Sequence, residues 1–245
     1  MVMKKGLVID IGNTRSKAAV FEDGKMLSTV LVFFPSQPES LIDLIELYKP
    51  SHSIVVSVSN LPDTLVTFLN QHSQLFILTQ TATFPFTSEY ATPQTLGMDR
   101  AAGVSGAMQL FAQQHCLVID AGTCVTFDFV TKEGIYMGGA ISPGLNMRLK
   151  AMHTFTQKLP DVAFEFPKNH IGNSTTTSML SGAYFGLLGE INETISRYED
   201  QFGIIQVVLC GGDAVLFDKR TKKSIFASPD LVLHGLFKIL QLNAT

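Results

Sequence analysis

A basic excess is missing from this sequence. Its 245 residues contain 18 Lys plus Arg against 21 Asp plus Glu, which gives a formal net charge of -3. A protein that neutralises many phosphates of a nucleic acid needs a surplus of basic residues, so we expect no nucleic-acid partner. Charged residues are also scarce at 16%, whereas 46% of the residues are hydrophobic. Disordered chains show the reverse balance, so this chain can bury a sizeable core.

Long hydrophobic runs are also missing. Asp, Gly, Pro or Lys interrupts every apolar run before it reaches the roughly 20 residues that a membrane helix needs, so we expect no membrane span. A strand-like segment begins at Leu7, soon after Lys4 and Lys5, so we expect no signal peptide. Cys116, Cys124 and Cys210 adjoin apolar runs without metal-ligand spacing, which predicts buried thiols and no zinc site. These absences predict a cytoplasmic protein.

An internal repeat is the most informative feature that is present. Residues 7–12 read Leu-Val-Ile-Asp-x-Gly, and residues 117–122 repeat this pattern. The same offset aligns a valine and a glycine further along each copy. Each copy has a strand, a turn, a second strand and a Gly-centred turn, which is typical of β-hairpins. The sequence therefore predicts two related halves, residues 1–110 and residues 111–245.

Helices and short strands alternate after each predicted hairpin. The spacing of apolar residues predicts a long helix over residues 175–202, a helix over 98–114 that leads into the second copy, and a closing helix over 230–242. Hairpins followed by helix-strand alternation predict an α/β fold with mixed sheets.

The turns after the two Asp-x-Gly strands are candidate phosphate loops, named here loop 1 (Asp10–Lys17) and loop 2 (Asp120–Thr123). Glycine permits close approach, so backbone N–H groups and a hydroxyl at such a turn form a concavity that suits a phosphate. Asp10 can hold Mg²⁺ through water. A single loop of this kind is more often an ordinary tight turn, but two related copies favour joint binding of one phosphate chain.

Taken together, these segments resemble the superfamily of acetate and sugar kinases, Hsp70 and actin. Within it, the sequence is similar to the type III pantothenate kinase family. Loop 1 matches that family's Asp-x-Gly-Asn-Thr motif, loop 2 matches its Asp-x-Gly-Thr motif, and Tyr90–Arg100 matches Tyr-x-x-Pro followed by Gly-x-Asp-Arg. Matches in the same order extend the resemblance over nearly the whole chain, at Gly138–Gly144, Ile171–Thr175 and Gly211–Asp213.

The resemblance implies duplicated actin-like (ribonuclease H-like) domains with mixed sheets and an interdomain ATP cleft. It implies an ATP-dependent kinase that phosphorylates pantothenate to 4'-phosphopantothenate, the first step of coenzyme A biosynthesis, and a homodimer. It implies Asp99 as catalytic base, and Asp120 as ligand of a monovalent cation, K⁺ or NH₄⁺. The implied ATP-binding residues are Asp10, Ile11, Gly12, Asn13, Thr14, Arg15, Ser16, Lys17 and Thr123. The implied pantothenate-binding residues are Tyr90, Gly97, Met98, Asp99, Arg100 and Thr175.

Local sequence leaves several of these roles open. Asp99 can accept a proton from an alcohol, or it can bind the N–H groups at a helix start. Arg100 can bind a substrate carboxylate, or it can pair with an acid at the surface. Without the resemblance, Tyr90 is a half-buried loop aromatic and Thr175 a helix start. The apolar helix around Met179–Ile195 is either a dimer interface or a core helix.

Two other functions remain open. A different small-molecule kinase of the same fold would keep both phosphate loops but lack the segment Tyr90–Arg100. A nucleotide-binding regulatory protein without turnover is the alternative from another class, because relatives of that kind share these motifs. The intact Asp10, Asp99 and Asp120 favour catalysis.

Overall fold

The computed structural model describes residues 5–12 and 16–244. These residues form two compact units. Unit 1 contains the described residues up to Gln114 together with Val130–Gly138 and residues 230–244. Unit 2 contains His115–Phe129 and Gly139–Pro229. The units group segments that pack together, whereas the predicted division between residues 110 and 111 follows the repeat, and that division stays a prediction.

A mixed sheet forms the centre of unit 1. Its strands are β1 (Lys5–Ile11), β2 (Ser16–Glu22), β3 (Lys25–Met26), β4 (Leu31–Phe33), β5 (His52–Ser57) and β6 (Gln74–Ile77). The order is β3-β2-β1-β5-β6, and β4 also pairs with β2. Strand β1 runs antiparallel to β2, which completes the predicted hairpin, and parallel to β5. The remaining elements of this part of the chain are α1 (Ile42–Tyr48), α2 (Asp63–His72), β7 (Thr87–Ser88) and α3 (Met98–Leu110).

The second copy of the repeat opens unit 2. It lies in a second sheet, whose strands are β7, β8 (Cys116–Ala121), β9 (Cys124–Val130), β10 (Ile135–Pro143), β11 (Gln206–Cys210) and β12 (Phe226–Ala227), in the order β12-β11-β8-β9-β10-β7. The residues of β10 up to Gly138 belong to unit 1. Strand β11 runs parallel to both β8 and β12. The helices are α4 (Leu145–Thr154) and α5 (Thr175–Phe202). A buried cluster that includes Leu117, Phe127 and Leu187 joins the sheet to α5 and forms the core of this unit.

The helix α6 (Leu231–Asn243) returns to unit 1 and covers one face of its sheet. Phe237 stacks on Phe21 of β2 with ring centroids 5.1 Å apart. The other face carries a separate core that includes Leu7 and Ile9. Strand β1 is therefore covered on both faces, which explains its nearly continuous apolar sequence.

The predicted fold class is confirmed, because the chain is α/β with mixed sheets. The predicted helix over 175–202 matches α5 at both ends, since Ser174 caps its start and Gly203, with φ of 76°, ends it. The helix predicted over 98–114 was too long. It ends at Leu110 because Phe111 leaves the helical region with φ of -129° and ψ of 62°. In the described part of the chain, no helix is both long and apolar enough to cross a membrane.

Candidate functional site

The described part of loop 1 places a basic residue opposite an acidic one. Asp10 is half-buried near the end of β1, and its partner in the antiparallel register of β2 is Lys17. Oppositely charged residues at such positions lie on the same face and attract each other. The Nζ atom of Lys17 also lies 3.6 Å from Oδ1 of Asp230, the residue that precedes α6. Lys17 therefore has one acid opposite it on β1 and a second acid at the start of α6.

Three predicted ATP-binding residues, Asn13, Thr14 and Arg15, lie outside the described residues. Before them, Ile11 is buried at the end of β1 and Gly12 is half-buried. After them, Ser16 is buried at the start of β2. The side chain of Asp10 is not fully enclosed, and a half-exposed carboxylate suits a Mg²⁺ ion held through water.

Asp99 lies in the first turn of α3, where its position depends on Gly97. Oδ1 of Asp99 accepts a hydrogen bond from the backbone N–H of Arg100 at 2.9 Å. A Cβ atom added at Gly97 would lie 2.6 Å from that same oxygen. Glycine at this position therefore leaves room for the carboxylate, which accounts for the spacing Gly-x-Asp.

Asp99 thus binds one backbone N–H at the helix start, although the N-cap residue is Gly97, and this contact does not exclude a role as base. An ionised carboxylate has two oxygens and about four acceptor positions, so one backbone contact leaves capacity for a proton from an alcohol. The neighbouring Met98 begins α3 and is buried. The hydrogen bond from the backbone of α3 thus helps to fix the direction of the Asp99 carboxylate.

Arg100 is buried against an aromatic group of unit 1. Only 8% of this residue is exposed, and its guanidinium carbon lies 5.7 Å from the ring centroid of Tyr90. The Tyr90 ring in turn stacks on Tyr136 with centroids 6.0 Å apart. It also lies against Gly138, where an added Cβ would be 3.1 Å from Cδ2 of Tyr90. This burial does not fit an arginine at the open surface, and the planar set of guanidinium donors suits recognition of a carboxylate.

Loop 2 is a tight turn of unit 2 whose backbone is tied at three points. The N–H of Gly122 donates to the carbonyl of Cys124 at 2.9 Å. The carbonyl of Ala121 accepts from the N–H of Asp213 at 2.9 Å, and the carbonyl of Thr123 accepts from the N–H of Gly144 at 3.1 Å. Thr123 itself is exposed. The sequence segments around Gly144 and Asp213 therefore serve to hold loop 2.

Asp120 has glycines as neighbours, and this environment fits a cation. A Cβ added at Gly211 would lie 2.4 Å from Oδ1 of Asp120, and one added at Gly122 would lie 3.7 Å from it. Gly211 directly follows β11, and its φ of 91° lies in the left-handed region that glycine adopts readily. Both glycines thus lie beside the Asp120 carboxylate, and carboxylate and carbonyl oxygens are the donors that hard cations prefer.

Thr175 is the first residue of α5, as its local sequence predicts. Ser174 and Thr177 form the capping box of this helix, with the N–H of Thr177 donating to the Ser174 hydroxyl at 3.2 Å. The exposed Thr175 side chain takes no part in that box. A shallow cavity of about 480 Å³ lies beside this segment, and its lining includes Gly172, Ser178 and Phe185.

The cysteines do not contribute reactive groups to either loop. Burial raises the pKa of the Cys116 thiol to about 12, so it stays protonated at neutral pH. Cys210 is buried and Cys124 is half-buried, and no disulfide is formed among the three. Within residues 5–12 and 16–244, no group of three or more His, Cys, Asp or Glu side chains is arranged to hold a metal ion.

The family follows from comparison with known proteins. The sequence model of the type III pantothenate kinase family matches residues 6–197. A type III pantothenate kinase from Christiangramia forsetii is 40% identical over 240 residues, which cover 98% of this chain and 99% of that protein. One from Phocaeicola vulgatus is 40% identical over 240 residues, covering 97% and 98%. The chain belongs to the type III pantothenate kinase family. The predicted family is confirmed, as is the predicted enzyme class, a kinase.

Solved structures agree with the actin-like fold. The chain aligns with a structure from Campylobacter jejuni that carries the name of a Baf family transcriptional activator, with a TM-score of 0.61 and 21% identity over 97% of this chain and 98% of that one. It also aligns with the activator of the 2-hydroxyisocaproyl-CoA dehydratase from Clostridium difficile, with a TM-score of 0.52 and 10% identity over 98% and 94%. At these identities the likeness concerns the fold alone.

The type III pantothenate kinase motifs are distributed over both units. Loop 1, Tyr90 and Gly97–Arg100 belong to unit 1, whereas loop 2 and Thr175 belong to unit 2. In unit 1 the structure brings Tyr90 to Arg100 and Lys17 to Asp230. Sequence reasoning missed Asp230 as a partner of Lys17, because no motif or periodicity links the first hairpin to the start of α6.

Proposed function

We propose that this protein transfers the γ-phosphoryl group of ATP to the primary hydroxyl of pantothenate, giving 4'-phosphopantothenate for coenzyme A biosynthesis. Membership of the type III pantothenate kinase family carries this proposal. The matched region, residues 6–197, includes both loops and the Tyr90–Arg100 segment. A kinase with a different substrate would be expected to lack that segment.

Loop 1 and loop 2 bind the phosphates of ATP in this proposal. Phosphoryl transfer depends chiefly on positioning and on neutralising charge, so the protein needs donors and cations at the phosphates more than it needs a strong base. Lys17 supplies a positive charge at the end of loop 1, and Thr123 supplies a hydroxyl at the end of loop 2. The backbone ties at Ala121 and Thr123 support the proposal, because a preorganised loop loses little entropy on binding.

Two cations complete the proposed phosphate site. Asp10 would hold Mg²⁺ through water, and Asp120 with nearby carbonyl oxygens would hold K⁺ or NH₄⁺. When bound, these cations supply positive charge that offsets the triphosphate in a chain whose own net charge is -3.

Asp99 acts as the base for the attacking alcohol in this mechanism. It accepts the proton of the pantothenate hydroxyl as that oxygen bonds to the γ-phosphorus, the bond to the β-γ bridging oxygen breaks, and ADP leaves. Arg100 binds the pantothenate carboxylate through its guanidinium. Tyr90, Gly97 and Met98 line the same substrate site, and Thr175 hydrogen-bonds the amide or a hydroxyl.

In this proposal the protein is a cytoplasmic homodimer. The sequence leaves open whether α5 forms the dimer interface or part of the core. Its apolar residues Leu187 and Ile191 belong to the core of unit 2, so this face is a core face rather than an interface. The opposite face is exposed at Gly182, Gly186 and Gly189, where an added Cβ would meet nothing within 4 Å. That face is the part of α5 that can receive a second copy.

The proposed function is tested by replacing Asp99. Purified wild-type protein is mixed with MgATP, K⁺ and pantothenate, and ADP release is followed. Asp99→Asn should lower kcat by roughly 100-fold or more, since a positioned base contributes about 10²–10⁴-fold. The control is Asp63→Asn, because Asp63 also lies in the first turn of a helix, is exposed, and has no proposed role.

The possible outcomes test the assignment of the substrate and the role of Asp99 separately. A wild-type protein that binds ATP but shows no pantothenate-dependent turnover would refute the proposed kinase function and favour a regulatory nucleotide-binding protein. Full activity of Asp99→Asn, with Asp63→Asn also active, would leave the substrate assignment intact and remove the role given to Asp99.

A further inference from the structure

Arg148 of α4 is held between two elements of unit 2. Its Nε–H donates to the carbonyl of Pro143 at 2.8 Å, and a terminal N–H donates to the hydroxyl of Ser142 at 2.9 Å. The same terminal nitrogen forms an ion pair with the carboxylate of Glu190 on α5. The two charged side chains are only 23% and 32% exposed, so this is a partly buried network rather than a surface pair.

The segment that Arg148 holds ends directly against loop 2. Gly144 follows Pro143, and its N–H donates to the carbonyl of Thr123 at 3.1 Å. A Cβ added at Gly144 would lie 2.1 Å from the carbonyl oxygen of Gly122 and 2.5 Å from that of Thr123. Backbone therefore lies against backbone, and a displacement of residues 142–144 displaces the turn of loop 2.

We infer that Arg148 and Glu190 are positioning residues for loop 2. Glu190 fixes the guanidinium of Arg148, Arg148 fixes Ser142 and Pro143, and the adjoining Gly144 fixes the loop. The inference rests on the proposed function in one respect, namely that loop 2 binds the phosphates of ATP. Binding groups must be held within about 0.5 Å of their productive position, and supporting hydrogen bonds of this kind provide that precision.

A purely structural role is the competing explanation, since Arg148 and Glu190 also join α4 to α5. The two explanations differ in what they change. If the Arg148–Glu190 ion pair only joins the two helices, its loss lowers the free energy of unfolding but leaves the affinity of the folded protein for ATP unchanged. Loss of a positioning residue weakens ATP binding in the folded protein. The dissociation constant of MgATP therefore distinguishes them.

The experiment measures MgATP binding by isothermal titration calorimetry without pantothenate, at a temperature where every variant is folded by circular dichroism. Arg148→Met keeps the length of the side chain and removes all three polar contacts, and it should weaken binding about tenfold, within the range seen for positioning networks. Arg148→Lys keeps the charge but loses the fork, so it should lie between Arg148→Met and wild type. Glu190→Gln should have a smaller effect, because Arg148 keeps its contacts to Ser142 and Pro143.

The matched control is Arg197→Met on α5. The Nε atom of Arg197 lies 2.9 Å from Oε1 of Glu193, and this i,i+4 pair is exposed. Arg197 lies about two helical turns beyond Glu190 on α5. Its loss should leave MgATP binding unchanged.

Each result bears on the inference. Unchanged MgATP binding by Arg148→Met, in a wild-type protein that is an active pantothenate kinase, overturns the inference and leaves the function standing. Weaker binding by Arg148→Met, in a wild-type protein that binds MgATP without pantothenate turnover, supports the inference and refutes the function. Absence of MgATP binding by the wild type overturns both.

Discussion

A carboxylate two positions later in the chain lies directly against residue 97. An added Cβ at Gly97 would lie 2.6 Å from Oδ1 of Asp99, a distance that no real Cβ contact tolerates. A larger residue at position 97 must therefore displace the proposed base. The requirement is local and steric, and it holds whatever the substrate is.

The Gly97→Ala variant should therefore lose activity while remaining folded. A displacement of about 1 Å at a reacting group costs up to roughly 100-fold in rate, so we expect kcat to fall about 10- to 100-fold. Steady-state kinetics measure this change, and thermal unfolding checks the fold. Thr64→Ala is the control, because Thr64 is exposed on α2 and has no proposed role. Unchanged kcat in Gly97→Ala would show that the placement of Asp99 does not limit the reaction.

His234 makes the stability of unit 1 depend on pH. Burial lowers the pKa of its imidazole below the ordinary value of 6.5, and the nearby Asp230 opposes this shift. Its ring also meets that of Phe21 edge-on, with centroids 5.1 Å apart. At His234, the unfolded chain therefore binds a proton more readily than the folded protein. The contribution of neutral His234 to the free energy of unfolding is present above pH 6.5, and it is lost as the pH falls through the pKa of the folded state.

Replacing His234 by Gln should reduce this pH dependence. Urea unfolding of wild type should give a lower free energy of unfolding at about pH 5.5 than at about pH 7.5, and His234→Gln should show a smaller difference between the two. Because other groups also titrate in this range, the change in the free energy of unfolding between the two pH values is compared between wild type and His234→Gln. Equal differences in both proteins would contradict a role for His234.

At the scale of elements, the packing of α3 on α6 depends on glycines. A Cβ added at Gly235 would lie 1.7 Å from the carbonyl oxygen of Ala102, and one added at Gly106 would lie 2.4 Å from that of Leu231. The two helices therefore approach through their backbones. Since Asp99 lies in the first turn of α3 and Asp230 directly precedes α6, this contact also positions the backbone of these two acidic residues.

Gly235→Ala should consequently destabilise the protein. The added methyl group must push the helices apart, and overpacking of this kind costs about 1–3 kcal/mol or more. Urea unfolding measures the loss. Asn70→Ala, at an exposed position of α2, should be neutral or slightly stabilising because alanine is the better helix former. A free energy of unfolding that is the same for Gly235→Ala and wild type would mean that the helices separate without cost.

Elements with strong periodicity and clear caps could be predicted from the sequence, and contacts between distant segments could not. The helix α5 has regular apolar spacing between Ser174 and Gly203, so both of its ends were predicted correctly. The end of α3 was missed because its apolar residues continue past the point where the backbone leaves the helix. The pairing of Lys17 with Asp230 is set by the packing of α6, which no local pattern encodes.

At the scale of the whole molecule, the repeat of Asp-x-Gly hairpins predicted two copies of one motif, and the structure has both as β1-β2 and β8-β9. The predicted family and kinase class are confirmed by the match over residues 6–197. The roles of Asp99, Arg100 and Thr175 stay predictions, because a family match identifies motifs and does not measure what each side chain does. The packing of α6 with unit 1 could not be predicted, since periodicity shows a helix but not its partner.

The return of α6 to unit 1 has a consequence for the order of folding during synthesis. Strand β1 leaves the ribosome early, but one face of its sheet stays uncovered until α6 has been made, after all of unit 2. Domains generally fold as units while the chain emerges, so unit 2 has its complete sequence before unit 1 does. The unit that begins first in the chain is thus the one that finishes last, and its apolar sheet face is exposed to chaperones or to aggregation for the whole of that interval.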